Sequence, residues 1–165
     1  MAALRCTQKL LKAMKVEPSA PPELGMNRLG DWMLNLLHTR PKMVVAISQH
    51  DRLGLVLEAA PFATLPQRFV ESVFVQLLAI GVSPNVARHE CDAMSPLAIT
   101  LTTHYPDRLS LQANLKDYAY LAELYLAERQ ALLAEINGRL ATNLVSINGK
   151  LEYPGEFAIK RLAVQ

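Results

Sequence analysis

The stretch MVVAISQHDRLGLVLE, residues 43–58, decides the fold class of this chain. Its two apolar runs, residues 43–47 and 53–57, are rich in Val, Ile and Leu, which is typical of strands buried on both faces. The polar residues 48–52 between the runs predict the tip of a β-hairpin. Because the tip lacks an Asn-Gly or Asp-Gly pair, we expect a loop of about three to five residues.

This hairpin needs further structure around it, because a lone hairpin is only marginally stable in water. Residues 97–103, LAITLTT, alternate apolar and polar side chains and predict a third strand. Residues 64–80 carry an apolar stripe at helical spacing and predict a helix that lies across the sheet. The sequence therefore predicts an α+β fold with a small, mostly antiparallel sheet, formed by the hairpin and this strand, that several helices cover.

Other segments show helical periodicity as well. Helices are predicted at residues 3–16, 29–39, 84–94 and 112–135. Residues 17–22, EPSAPP, predict a Pro-rich linker after the first helix. For residues 145–163 two interpretations stay open: a helix that starts at Pro154, or a hairpin around the Asn148-Gly149 turn.

Length and composition indicate one globular domain, residues 1–165. A chain of this size can bury a substantial core, and 51% apolar with 19% charged residues is globular rather than disordered composition. The net charge of +2 neither requires nor excludes a polyanionic partner. Composition therefore excludes a disordered chain but leaves the partner open.

The sequence gives no sign of secretion or membrane insertion. The first fifteen residues mix Lys and Arg among the apolar ones, and no apolar run approaches the roughly 18–20 residues of a membrane-spanning helix. Cys6 and Cys91 are the only cysteines, and no CxxC motif is present, so neither a disulfide scaffold nor a cysteine-rich zinc site is predicted. We expect a soluble cytoplasmic protein without membrane association or cofactor.

No catalytic signature occurs in the sequence. The nucleophile elbow GxSxG, the P-loop, the GxGxxG fingerprint and the zinc-binding HExxH are all absent. The four histidines, at positions 38, 50, 89 and 104, have no carboxylate or cysteine partner at motif spacing. Catalytic residues thus remain unknown, no metal site is predicted, and whether the protein is an enzyme stays open.

Basic residues gather near the start of the chain. Arg5, Lys9 and Lys12 would share one face of the predicted first helix, with Lys15 nearby. Such a face could bind nucleic acid or an acidic partner, but a run of charges is more often simply a solvated surface. Because no aromatic residues interleave with the cations, the sequence favours the solvated surface, and nucleic acid stays only as an alternative partner.

Two polar segments could contribute to a site. Arg108 and Asp117 lie where a loop leaves the third strand and enters a helix, a place that can present polar groups at the mouth of a pocket. The structural alternative is that Asp107 or Asn114 caps the helix and Arg108 forms a surface ion pair. The hairpin tip, residues 50–52, receives less weight because such tips are polar by default.

Three segments carry a resemblance to a known family. LRCTQKLLK at residues 4–12, LGDW at 29–32 and DYAY at 117–120 resemble a bacterial family catalogued only as a domain of unknown function. The likeness spans about residues 3–126. It implies a stand-alone bacterial protein, encoded near mobile elements, and it supplies no activity.

The resemblance also suggests where a shared site would lie. The family carries Arg-Ser-Val-Leu-Gly-Ser before the late helix, where this chain has RLSLQA at residues 108–113, with no glycine. If the family shares a binding site, the residues to inspect are Arg5, Thr7, Lys9, Asp31, Trp32, Arg108 and Asp117. Each has a structural alternative: Asp31 could be a helix cap, Trp32 a core residue, and Arg5 and Lys9 solvated charges.

Three functions follow from these observations. The first is a non-enzymatic binding or protein-interaction domain, whose partner is a second copy of itself or another protein. The second is a small enzyme or ligand-binding domain with a polar site near Arg108 and Asp117, where these would meet Arg5 or Lys9. The third is weak nucleic-acid binding through the basic first helix.

Overall fold

The computed structural model describes residues 1–22, 25–103, 107–128 and 130–164. The strands are β1 (Ala2–Cys6), β2 (Trp32–Leu37), β3 (Met43–Ser48), β4 (Gly54–Glu58), β5 (Leu97–Leu101), β6 (Val145–Ile147) and β7 (Lys150–Glu152). The α-helices are α1 (Gln8–Met14), α2 (Leu65–Ala79), α3 (Pro84–Met94), α4 (Arg108–Ala127), α5 (Leu133–Ala141) and α6 (Pro154–Ala163). Within the described residues, no helix combines the length and apolar character that a membrane crossing requires.

The main sheet has five strands in the order β4-β3-β2-β1-β5. Strand β1 is parallel to both of its neighbours, whereas β3 is antiparallel to β2 and to β4. Strands β6 and β7 form a separate antiparallel pair. The α+β class is confirmed, as are the hairpin, the strand at β5 and the helices α2 and α3, but the main sheet is mixed rather than mostly antiparallel.

The predicted helix at residues 3–16 is wrong in its first half. Residues 2–6 form the internal strand β1, in which Leu4 lies beside Trp32 on one side and Ile99 on the other. The helix begins only after Thr7, whose Oγ1 accepts a hydrogen bond from the Leu10 backbone N–H at 3.4 Å. A core residue of the strand and core residues of α1 are spaced as on one face of a helix, which is why the sequence predicted a single helix. Pairing with a strand on each side is the stronger constraint, so residues 2–6 form a strand.

The predicted helix at residues 29–39 is also wrong, because this segment contains strand β2. Asp31 is not a helix cap; its Oδ1 accepts a hydrogen bond from the Ala3 backbone N–H at 2.9 Å. The apolar run of β2 has only six residues, and periodicity alone does not distinguish a buried strand from a buried helical turn at that length. This segment is a strand because it pairs with β1 on one side and with β3 on the other.

The end of the chain combines elements that the sequence presented as alternatives. The predicted helix at 112–135 is divided between α4 and α5, and α4 begins earlier than predicted, at Arg108. For residues 145–163, the hairpin β6–β7 and the helix α6 both form, one after the other. Asn148 and Gly149 take the turn between the strands with φ values of 51° and 77°.

The main sheet separates two apolar cores. Because successive side chains of a strand point to opposite faces, Leu4 and Trp32 pack towards α1, α2 and α3, whereas Met33 and Ile47 pack towards α4 and α5. Trp32 is fully buried and meets the Phe69 ring edge-on, with the ring centroids 5.2 Å apart. Helices α1 and α4 therefore lie on opposite faces of the sheet.

Side chains and the Pro-rich segment cover the two edges of the sheet. On the β4 edge, the Asn137 amide donates to the Val56 carbonyl at 3.1 Å and accepts from the Val56 N–H at 2.7 Å. On the β5 edge, the backbone N–H and the hydroxyl of Ser19 both donate to the Ile99 carbonyl, at 2.8 and 3.0 Å. Both contacts occupy backbone groups that would otherwise be available to another strand.

We expect Asn137→Ala to lower the free energy of unfolding by roughly 2–4 kcal/mol, because two buried backbone groups of Val56 lose their partners. Denaturant titration followed by circular dichroism measures the loss. Glu135→Ala, at an exposed position of the same helix, is the matched control and should stay within about 0.5 kcal/mol of the wild type. An equal decrease in the free energy of unfolding of the two variants would contradict a stabilising role for the contact of Asn137 with the Val56 backbone.

Candidate functional site

Two residues suggested by the family resemblance form a buried ion pair. The Arg5 guanidinium contacts Asp31 Oδ2 through Nη2 at 2.6 Å and through Nε at 2.8 Å. Arg5 is only 8% exposed, and Asp31 also accepts the Ala3 N–H described above. The pair thus joins β1 to the residue that precedes β2.

The other N-terminal candidates are placed differently. Thr7 caps α1 and donates its hydroxyl hydrogen to Asn35 Oδ1 at 3.0 Å. Trp32 is buried in the first core, and its indole Nε1 has no hydrogen-bond partner among the described residues. Lys9 lies exposed on α1. Thr7 and Trp32 therefore hold structural positions, and a binding role for the N-terminal candidates remains a prediction.

Arg108 and Asp117 both lie on α4. Arg108 is the first residue of the helix and donates through Nη1 to the Thr103 carbonyl at 2.9 Å, whereas Asp117 is exposed on the outer side. Since α1 and α4 lie on opposite faces of the sheet, Lys9 does not meet Asp117 in a common pocket. Of the seven candidates, the structure pairs Arg5 with Asp31, while Lys9 and Asp117 are surface charges.

The hairpin tip, residues 49–52, lies beside the Arg5–Asp31 pair. The Asp31 N–H donates to Gln49 Oε1 at 3.0 Å, and the Gln49 N–H donates to the Asp31 carbonyl at 2.8 Å. The tip is therefore held against the start of β2 rather than projecting into solvent.

Arg52 connects the tip to the start of α4. Its side chain is buried, and it donates to Asn114 Oδ1 at 3.2 Å, to Asp107 Oδ2 at 3.1 Å and to the Gln49 carbonyl. The hydroxyl of Tyr118 in turn donates to the Arg52 carbonyl at 2.9 Å. This cation of the hairpin tip is thus buried, and it connects the tip to α4.

Asp51 is a fully buried carboxyl with one charged partner. Its Oδ1 accepts a hydrogen bond from Arg161 Nε at 2.7 Å, whereas Oδ2 has no partner in the described part of the chain. Burial raises the pKa of Asp51 to about 6, although the neighbouring Arg161 guanidinium acts in the opposite direction. This carboxyl therefore changes its protonation close to neutral pH.

A concavity of about 590 Å³, which we call the basic pocket, opens beside Asp51. Its lining residues are Arg28, His50, Phe157, Lys160, Arg161 and Val164. Arg28 donates to the carbonyls of Leu162, at 3.0 Å, and Val164, so that α6 and the segment before β2 are tied together. Two distant segments of the chain, the one before β2 and α6, thus contribute cations to one surface depression, and the hairpin tip adds His50.

The charges around His50 affect its protonation. Burial lowers the pKa of His50, and the nearby cations Arg161 and Arg52 lower it further. The imidazole is therefore predominantly neutral at pH 7, and it can donate from one ring nitrogen and accept at the other. The pocket thus combines permanent cations with one neutral ring.

Glu90 supports the pocket from behind. Its carboxylate accepts the backbone N–H groups of Arg28 at 2.9 Å and Leu29 at 2.8 Å, and its side chain is buried. Its neighbour Cys91 is buried as well.

Arg28, Glu90, Lys160 and Arg161 were not predicted from the sequence as site residues. The adjacent cations Lys160 and Arg161 were the one available signal, but basic residues in the last turn of a helix are ordinary because they complement the helix dipole. Across the described residues, no three His, Cys, Asp or Glu side chains group closely enough to hold a metal ion.

The pKa of Asp51 predicts how stability depends on pH. Between its ordinary value of 3.8 and the raised value of about 6, the folded state holds a proton that the unfolded state has lost. The free energy of unfolding therefore falls as the pH rises through this range. At pH values above the range, the ionised carboxyl lowers it by roughly 3 kcal/mol. We expect Asp51→Asn to be more stable than the wild type at pH 7.5 and to lose this advantage near pH 4.

Urea unfolding at the two pH values measures the difference. Asp92→Asn, on the exposed side of α3, serves as the control and should differ from the wild type by less than about 0.5 kcal/mol at both. An Asp51→Asn advantage of the same size at pH 4 and pH 7.5 would show that ionisation of Asp51 is not its cause.

Comparison with known proteins places the chain in a family. Residues 3–157 match the model of a family described as a domain of unknown function, DUF6933, and this range covers most of the chain. Searches of curated proteins and of solved structures gave no match. Of the basic pocket, Arg28, His50 and Phe157 lie inside the matched range, whereas Lys160 and Arg161 follow it. The chain therefore belongs to the DUF6933 family of domains of unknown function.

Proposed function

We propose that this protein is a non-enzymatic binding protein that holds the anionic group of a small molecule, a phosphate or a carboxylate, in the basic pocket. The observation that carries the proposal is the convergence of Arg28, His50, Lys160 and Arg161 on one concavity, where no acidic side chain is found among the lining residues that the structure describes. Clustered cations in a concave surface raise the local concentration of anions and fix their position.

The arrangement of Arg161 supports this proposal most directly. Its Nε is engaged by Asp51, and its guanidinium carbon lies 5.5 Å from the centroid of the Phe157 ring. Within the described residues, its two terminal Nη groups have no hydrogen-bond partner. A guanidinium fixed through Nε presents these two groups as a fork, which matches the oxygens of a phosphate or carboxylate. Such preorganisation reduces the entropic cost of binding.

A binding role is favoured over catalysis by the state of the candidate reactive groups. Burial raises the pKa of the Cys6 thiol to about 12 and that of Cys91 to about 11, so neither is a thiolate nucleophile at neutral pH. The catalytic alternative relied on Arg108 and Asp117, of which Asp117 is exposed on α4 and Arg108 bonds a backbone carbonyl.

Titration of the protein with inorganic phosphate and, separately, with acetate tests the proposal. We expect saturable NMR shifts of the pocket residues with a Kd on the order of 1 mM, as suits a lone anion. Lys160→Gln should weaken binding about tenfold or more, because it removes an exposed cation without affecting the buried Asp51. Lys150→Gln, at an exposed position of β7, is the matched control and should bind like the wild type.

A second measurement distinguishes binding in the pocket from a general charge effect. An anion bound beside His50 stabilises the imidazolium, so phosphate should raise the pKa of His50 in an NMR titration. Comparison of the Kd for phosphate with the Kd for acetate shows whether the pocket prefers a phosphate or a carboxylate. If no shift saturates, or if Lys160→Gln binds as well as Lys150→Gln, the proposal is wrong. Shifts with duplex DNA at Lys9, Lys12 and Lys15 instead would favour nucleic-acid binding through α1.

A further inference from the structure

The outer face of α4 exposes large apolar side chains. The helix has 20 residues, a length of about 30 Å, and packs Leu111, Leu115, Tyr118 and Ala122 against the sheet side. On the opposite side, Leu109 is 75% exposed, Tyr120 64% and Leu124 47%. A helix that covers a core on one side ordinarily has a polar opposite side. The apolar character of both sides indicates that the outer face has a partner.

The exposed residues form a continuous stripe, which we call the α4 stripe. Its members are Leu109, Ala113, Lys116, Asp117, Tyr120, Leu124 and Ala127, and all seven are exposed. At about 100° of rotation per residue, they fall within an arc of about 100°, directly opposite the buried residues of the helix. The stripe is therefore one surface and not a set of scattered positions.

Six positions of the α4 stripe are symmetric about a midpoint between Lys116 and Asp117, whereas the seventh, Ala127, has no counterpart within the helix. Leu109 and Leu124 lie equally far from this point on either side, and so do Ala113 and Tyr120. If a second α4 helix lay antiparallel across the midpoint, each leucine would face a leucine. Each small alanine would face a large tyrosine, and each lysine would face an aspartate.

We propose that the protein forms a homodimer through the α4 stripe, with the two α4 helices antiparallel about a twofold axis near Lys116 and Asp117. A twofold interface requires a surface that is complementary to itself, and the stripe meets this condition in size and in charge. An unrelated partner would not require the symmetry about the midpoint. The occupant of the stripe is therefore a second copy of this chain.

The interface is small, which sets the expected affinity. One helix from each subunit buries less than the roughly 1,200 Å² at which stable interfaces begin. We therefore expect a concentration-dependent dimer with a Kd of about 1–100 μM. Sedimentation velocity between micromolar and millimolar protein concentrations measures it directly.

Charge exchange at the centre of the α4 stripe is the decisive test. Lys116→Asp creates two pairs of like charges across the axis, so the Kd of the dimer should rise at least tenfold. The single variant Asp117→Lys should have the same effect. The double variant Lys116→Asp/Asp117→Lys restores both opposite-charge pairs and should recover the wild-type Kd. Because both positions are exposed, circular dichroism and the thermal midpoint should not change.

An apolar substitution and its control complete the experiment. Leu124→Glu should yield a monomer, whereas Leu151→Glu, at a residue of β7 that is 71% exposed, should leave the dimer intact. The proposal is overturned if the wild type stays monomeric throughout the concentration range. It is also overturned if the dimer survives Leu124→Glu, or if the double charge exchange fails to recover it.

Discussion

The pairing of β1 with a parallel neighbour on each side is the constraint on which the rest of the structure depends. Leu4 lies between Trp32 and Ile99, so three separate segments must align before the sheet is complete. The Arg5–Asp31 ion pair fixes the register on one side, because Asp31 binds both the Arg5 side chain and the Ala3 backbone. Helices on each face then cover a sheet whose centre is already set.

Polar contacts around the hairpin tip connect this sheet to its surroundings. Gln49 bonds the backbone of Asp31, Arg52 bonds the start of α4, and Asp51 bonds Arg161 of α6. These contacts place the basic pocket where the tip, the segment before β2 and the last helix meet. A buried polar network of this kind holds its members in one arrangement, because each buried polar group that lost its partner would lower the free energy of unfolding.

Segments with a clear helical stripe, and apolar runs beside a polar turn, could be predicted from the sequence, whereas isolated short apolar runs could not. Helices α2 and α3 have helical apolar spacing, and the polar tip between two apolar runs marks the β3–β4 hairpin. Strands β1 and β2 have five and six residues, and distant partners decide their conformation. For the same reason the pocket was not predictable: Arg28 and Arg161 are brought together by the fold, and neither has a distinctive local sequence. Only the hairpin tip, with His50 and Asp51, had been noted as a polar segment.

The position of β1 also determines the order in which the protein can fold during synthesis. Of the five strands of the main sheet, β1 is synthesised first and its partner β5 last. Until residues 97–101 are synthesised, one edge of β1 has no partner strand, and an unpaired strand edge can pair with another chain. Non-local parallel pairing of this kind also folds slowly. We therefore expect the incomplete chain to be more prone to aggregation than the complete one.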